Sequence, residues 1–333
     1  MHEGETDRYL IRESYKTMKL VFFGTPTFAV PTLEAIIADG HQVVAVVTAP
    51  DKPAGRGLQL RPSPVKECAI RHELTVLQPT KLSEHGFIEQ LQSLEADLFV
   101  VVAFRMLPEA VWNMPPRGSY NLHSSLLPDY RGAAPINRAI MNGETVSGVT
   151  TFKLKHEIDT GDILFQKQLD IGPDETAGEL HDRMMMAGAE LVVQTLQQIQ
   201  SGNATTIEQA SLIQNRPVLH HAPKIFSADC RIDWNRTCLE IHNQIRGLSP
   251  FPGAFTYLKK NDGSTATMKI FKSKPFAGQP LMNCGNIQFE ENRLMVACAD
   301  GYVEVLELQL EGKKRMPTGD FLRGTKLIDS RFE

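Results

Sequence analysis

Three short apolar runs, "LVFF" at 20–23, "VVAVV" at 43–47 and "LFVVV" at 98–102, constrain this chain more than anything else in it. None is long enough for a core helix, and none alternates with polar residues. They read as strands buried on both faces, which is the habit of parallel sheets. Helical stretches separate them. "GTPTFAVPTLEAIIADG" turns at Gly24 and enters a helix that Gly40 ends. The unit so formed is βαβ, with a right-handed crossover. The alternation continues. A helix starts near Pro64, "LTVLQP" is a short strand, and "SEHGFIEQLQSLEA" is a helix with Ser83 as its cap. "GSYNLHSSLLP" is the next strand and "APINRAIMNG" the next helix. Two strands then flank a "DTGD" turn, and a long amphipathic helix ends at Gly202. The expected fold is α/β and doubly wound.

Beyond residue 224 the pattern changes to short strands, with turns at Asn261-Asp262-Gly263, Glu291-Asn292 and Asp300-Gly301. That predicts a small β-rich barrel or sandwich. "RGLSPFPGAFTYL" is taken as one of its strands. The expected organisation is an extension over 1–17, an α/β domain over 18–205, a linker over 206–224 and a β domain over 225–333. No apolar run reaches the roughly 20 residues of a membrane span, and the polar start of the chain has no signal-peptide core.

Charge is uneven. Residues 216–333 hold 17 Lys+Arg against 13 Asp+Glu, although the whole chain has a formal charge of -4. A basic second half hints at a nucleic-acid partner. The five cysteines, Cys68, Cys230, Cys238, Cys284 and Cys298, form no C-x-x-C. They read as reduced thilols of a cytosolic protein, with no zinc spacing.

The chemistry concentrates in "NLHSSLLPDYRGAAP", residues 121–135. Asn121 and His123 are two apart on a strand, so they project on one face. In open α/β sheets, ligands bind outside the carboxyl ends of strands. Asp159, in the "DTGD" turn, is expected in the same pocket. Imidazole suits general acid–base work near neutrality. A carboxylate beside it fixes its orientation, and an Asn amide can donate to a developing oxyanion. The three types together suit acyl transfer to an amine without a covalent intermediate. The first turn, "GTPTFA", lacks G-x-G-x-x-G, which argues against an NAD-linked dehydrogenase. "DKPAGRG" reads as a mobile loop whose cations, Lys52 and Arg56 with Arg61 further on, could grip a phosphate backbone.

The order N-x-H, S-L-L-P, R-G-x-x-P and D-T-G-D resembles the folate-dependent formyltransferase family. "GTPTFAVPTL", "PSPVK", "RIDWN", "IRGLSPFPGAF" and "LEGKKRM" extend the likeness from about Met18 to about Gly324, to the members that act on charged initiator tRNA. The resemblance implies a Rossmann-like catalytic domain and an OB-like β-barrel that binds tRNA. It implies transfer of a formyl group from 10-formyltetrahydrofolate to methionine on initiator tRNA, for translation initiation. Asn121, His123 and Asp159 match the family's catalytic trio. Ser125, Leu126, Leu127 and Pro128 match its folate-binding segment. Arg56 matches its tRNA loop, and the resemblance extends tRNA contact to Lys52, Lys313 and Lys314. A cytoplasmic monomer without a metal is expected. Other users of the same donor, with a nucleotide-sugar amine or water as acceptor, are the alternative. The chain departs from the family where Leu58-Gln59-Leu60 replace lysines, and "FRMLP" at 104–108 is a variant beside the folate pocket.

Overall fold

Strand β1 (Lys19–Gly24) is flanked by β2 (Gln42–Val47) and β4 (Leu98–Val102), both parallel to it. The computed structural model describes residues 17–54, 59–213, 218–259, 263–290, 293–325 and 330–333. Its sheet continues outward through β3 (Val76–Leu77) on one side. On the other side come β5 (Ser119–His123), β6 (Val146–Lys153) and β7 (Ile163–Asp170). The order is β7-β6-β5-β4-β1-β2-β3. β1 to β5 are parallel and β6 is antiparallel to β5. The strand order therefore reverses between β1 and β4, which makes a switch-point crevice at their carboxyl ends.

Alternate strand residues face opposite layers. Val21, Phe23, Phe99 and Val101 share a core with Phe87 and Leu91 of helix α3 (His85–Ser93), which follows α1 (Val30–Ala38) and α2 (Pro64–Arg71). On the other face, Leu122 meets α5 (Ala177–Ser201), which follows α4 (Pro135–Met141). A Cβ on Gly188 of α5 would come within 2.5 Å of Leu122 Cδ2, so only glycine lets that helix lie so close. Apart from α4, the first turn of α5 and the outer ends of β6 and β7, these elements fall in the first of two compact units, which gathers Met1–Arg131, Gly148–Gln168 and Asp182–Leu219.

The second unit gathers Gly132–Ser147, Leu169–His181 and His220–Glu333. Helix α6 (Cys238–Leu248) turns Ile241, Ile245 and Leu248 onto an antiparallel sheet. Its strands are β8 (Ala254–Lys259), β9 (Thr265–Ala277), β10 (Ile287–Glu290), β11 (Arg293–Cys298), β12 (Gly301–Leu310) and β13 (Arg331–Phe332). The order is β10-β11-β12-β9-β8-β13. The Phe332 amide donates to Gly285 O at 2.8 Å and Arg331 bridges Asn286, so the last strand returns beside the first. The sheet is nearly a barrel, in line with the expected architecture.

Several local expectations fail. Helix α3 takes Glu84, not Ser83, as its N-cap, without a side-chain cap bond. "RGLSPFPGAFTYL" is not one strand, because Arg246, Gly247 and Leu248 are the end of α6. The signal for that helix was present. Thr237 and Glu240 form a capping box, with Glu240 N–H donating to Thr237 Oγ1 at 3.2 Å and Thr237 N–H to Glu240 Oε2 at 3.0 Å. The "DKPAGRG" segment is no plain loop either. Lys52–Ala54 and Gln59–Arg61 pair as an antiparallel hairpin, with Lys52 opposite Arg61. The stretch expected as a linker holds a helix, Gln209–Ile213. Turns expected at 261–262 and 291–292 lie outside the described residues. Among the described residues no helix is long and apolar enough to cross a membrane.

Candidate functional site

Asn121 is opposite Val101 in the parallel pairing of β5 with β4, and Val101 is opposite Phe23. Asn121 and His123 therefore stand on the α3 side of the sheet, at the carboxyl end of β5, while Leu122 faces α5. Asp159 arrives from the loop between β6 and β7. That loop leaves the sheet at Lys153, opposite Tyr120, and folds back along β5 to bring Asp159 Oδ2 within 3.9 Å of His123 Nδ1. The structure thus brings Asp159 to His123, with Asn121 on the same strand face.

The geometry assigns the imidazole's nitrogens. His123 is 7% exposed, and its Nε2 lies 2.9 Å from the carbonyl oxygen of Tyr130. A carbonyl only accepts, so Nε2 carries the hydrogen. In the neutral ring Nδ1 then holds the lone pair and faces the carboxylate of Asp159. At 3.9 Å the two are an ion pair once the ring is protonated, and too far apart for a hydrogen bond. The side chain of Asn121 makes no hydrogen bond among the described residues, so both of its amide hydrogens can serve an incoming oxygen.

The loop is shaped by backbone that few residues tolerate. Asp159 has φ +55°, in the left-handed region that Asp and Asn enter more easily than most. A Cβ on Gly161 would stand 1.7 Å from Lys153 O, so the third residue of "DTGD" has to be glycine.

The segment after His123 is braced from β6 and β7. Ser125 Oγ donates to Asp129 O at 2.6 Å. Thr150 Oγ1 donates to Ser125 O at 2.6 Å and accepts from Leu127 N–H at 3.2 Å. Gln166 Nε2 donates to Leu127 O at 2.8 Å. Leu127 packs on Phe152 and Ile163. Of the four residues expected to bind folate, Ser125, Leu127 and Pro128 are buried and Leu126 is half-buried. Sequence reading missed Thr150 and Gln166, which carry no local motif.

The loop at 104–108 follows β4 at the same edge. Arg105 Nη1 and Nη2 donate to Thr80 O and Pro79 O at 2.9 and 2.5 Å, while Met106 is 75% exposed. Arg131 sits near the carboxylates of Asp159 and Glu157. Burial pushes its guanidinium below the usual arginine range, and those two carboxylates pull the other way. Lys52, Lys313 and Lys314 are exposed. Arg56 lies outside the described residues.

Among the described residues one group, Glu34, Cys68 and His72, has ligand atoms within 4.8 Å of one another. Its carboxylate is already engaged. Arg71 Nη2 donates to Glu34 Oε1 at 3.0 Å, and burial pushes the Cys68 thiol up.

Residues 18–196 match the formyl transferase family, and residues 224–326 match the formyl transferase C-terminal domain. A methionyl-tRNA formyltransferase of Bacteroides fragilis is 47% identical over 314 residues, covering 94% of this chain and 97% of that protein. One of Phocaeicola vulgatus is 50% identical over 317 residues, covering 95% and 98%. Among solved structures, an N-formyltransferase of Helicobacter canadensis, in complex with folinic acid and dTDP-3-aminofucose, matches with TM-score 0.63 at 23% identity. It covers 87% of this chain and 99% of that one. At that identity the likeness speaks for the fold.

Proposed function

The chain belongs to the formyl transferase family, and on that premise we propose that it formylates the α-amino group of methionine on charged initiator tRNA, with 10-formyltetrahydrofolate as donor. The observation that carries the reading is the pairing of an unengaged amide, Asn121, with an imidazole whose Nδ1 lone pair faces Asp159. The relatives named for this reaction are matched over nearly their whole length, which favours methionyl-tRNA over a sugar amine as acceptor.

In this reading the amine nitrogen of methionine attacks the formyl carbon. A new N–C bond forms and the bond from that carbon to the folate nitrogen breaks. Charge gathers on the formyl oxygen, and Asn121 donates to it. Such a preorganised donor is worth about 3–4 kcal/mol in the transition state. The proton lost by the amine passes to His123 Nδ1, because Nε2 is engaged with Tyr130 O. Asp159 stabilises the imidazolium, and the proton leaves on the departing folate nitrogen. No nucleophilic side chain is needed.

Ser125 and Leu127 spend their side chains inside the protein. Their segment would meet folate through backbone groups and Leu126. Lys52, Lys313 and Lys314 are exposed and so able to meet phosphates, with Arg56 between the two strands of the hairpin in sequence. We assign catalysis to residues 18–205 and tRNA support to 225–333, joined by 206–224. The cysteines are free, which fits the cytoplasmic site of action inferred here.

The test is transfer of a labelled formyl group from 10-formyltetrahydrofolate, with initiator and elongator methionyl-tRNA side by side. Label on the initiator tRNA is expected. Free formate without labelled tRNA would replace this reading with a hydrolase.

A further inference from the structure

Gln209 is 1% exposed, and every hydrogen-bonding position of its amide is used. Its Nε2 donates to Asp159 O at 2.9 Å and to Gly161 O at 2.8 Å. Its Oε1 accepts from Arg131 Nε at 3.1 Å and from Arg131 Nη2 at 2.6 Å. The guanidinium can only donate, so the amide has one orientation and its two N–H bonds must point at the catalytic loop. We propose that Gln209, oriented by Arg131, is a positioning residue that holds Asp159 in register with His123. This rests on the formyl-transfer reading above.

Three observations carry it. First, the two carbonyls that Gln209 grips belong to the residue that faces His123 and to the glycine two positions on. Asp159 holds a left-handed backbone, φ +55°, that a free loop would relax from. Bonding its own carbonyl fixes the peptide that follows Asp159. Second, the segment bearing Gln209 is anchored to the sheet independently. Ile163 N–H donates to Ile207 O at 2.9 Å, and Ile207 N–H donates to Ile163 O at 2.8 Å. Leu212 packs on the cluster of Leu127, Phe152 and Ile163. Third, Arg131 lies only eight residues from His123 in sequence, so one buried amide ties the loop that follows His123 to the loop that bears Asp159. Residue 209 falls between the two stretches that the family models match, 18–196 and 224–326, where sequence reading expected only a linker. Contact places Asp182–Leu219 in the same unit as His123 and Asp159.

Asp159 reaches Nδ1 across 3.9 Å, so a displacement of about 1 Å would take it out of ion-pair range. Misplacement on that scale costs up to about 100-fold in rate. Gln209→Met keeps the length of the side chain and removes both donors. Gln209→Glu keeps an acceptor for Arg131 and also removes the donors. Leu212→Ala loosens the same segment without touching either carbonyl.

The experiment is steady-state formylation of initiator methionyl-tRNA by the full chain, with thermal melting of each variant. Gln209→Met and Gln209→Glu should lower kcat about 10- to 100-fold. KM for donor and for tRNA should stay within about twofold of wild type, because neither is gripped by Gln209. Leu212→Ala should melt earlier and keep kcat. Wild-type kcat in both Gln209 variants overturns the inference. So does a loss of kcat in Leu212→Ala that matches theirs, since that would make Gln209 a mere anchor. If the wild-type chain itself forms no formylmethionyl-tRNA, the functional reading fails, and that result is distinguishable because it precedes any variant.

Discussion

Two Pro/Gly-rich segments follow parallel strands of one sheet, 124–132 after β5 and 51–61 after β2, and they fold in opposite ways. The first is drawn inward. Thr150 and Gln166, on the neighbouring strands, take hold of the backbone at Ser125 and Leu127, and Tyr130 O fixes the imidazole of His123. The second stands as a two-stranded hairpin that pairs with itself. Its base is secured where Lys66 Nζ and Gln78 Nε2 donate to Asp51 at 2.6 and 2.8 Å. The Lys66 contact, followed by the Gln78 contact, holds the Asp51 carboxyl below its usual range. Composition does not separate the two segments. What separates them is whether an adjacent strand offers polar side chains at the right height. The braced segment can serve chemistry that needs fixed geometry. The exposed one suits attraction at a distance, which needs charge rather than fixed geometry.

The comparison is broken most directly at His123. His123→Ala should lower kcat about 1,000-fold, within the range that a positioned acid–base group supplies. Little change in KM for tRNA is expected. A variant that keeps its turnover number would remove the imidazole from the mechanism and leave the braced segment with a folding role alone. Asn121→Ala should cost about 100-fold in kcat, as loss of an oxyanion donor does. Because the Asn121 side chain has no hydrogen-bond partner among the described residues, melting should barely change. A large drop in melting temperature without loss of kcat would reverse that assignment.

Thr150→Val tests the brace itself. It removes a hydroxyl that serves Ser125 O and Leu127 N–H in buried surroundings, and also the amide of the exposed Gln166. Leaving such groups unpaired costs about 1–3 kcal/mol. The expected outcome is a melting temperature lower by several degrees with a moderate fall in kcat. Unchanged melting and unchanged kcat would show that water replaces the hydroxyl, and the contrast between the two segments would lose its basis.

How far these features were legible in the sequence follows from the range of the contacts involved. The strand–helix alternation up to Gly202 was readable because each element declares itself within about ten residues. The trio was readable in part: Asn121 and His123 by their spacing of two, Asp159 only by its place in a turn between strands. Thr150, Gln166 and Gln209 were not readable. Each acts on a residue at least 16 positions away or on another strand, and each is an ordinary polar residue where it stands. Helix α6 is a different kind of miss. Its capping box and the spacing of Ile241, Ile245 and Leu248 were in view, but Pro250, Phe251 and Pro252 drew the reading toward a strand and turn. The hairpin at 52–61 hid for a third reason, since its Pro and Gly residues are those of a loop and the paired residues Lys52, Pro53, Leu60 and Arg61 are exposed.

The smallest effects are expected at the exposed cations, and they sharpen the comparison through their form. Lys52 is in the hairpin strand opposite Arg61, and Lys313 and Lys314 follow the turn at Gly312. None lies in the braced segment. Lys52→Ala, and separately Lys313→Ala, should raise KM for tRNA by less than tenfold, with kcat, donor KM and melting unchanged. The signature lies in salt. Each phosphate contact contributes about 0.7–0.9 to the slope of log affinity against log salt. Each substitution should therefore flatten the dependence of tRNA binding by a little under one unit, and the two effects should add, as separate exposed charges do. A fall in kcat for Lys52→Ala at unchanged tRNA KM would place the hairpin within the chemistry. The two segments would then differ in how they are built and not in what they do.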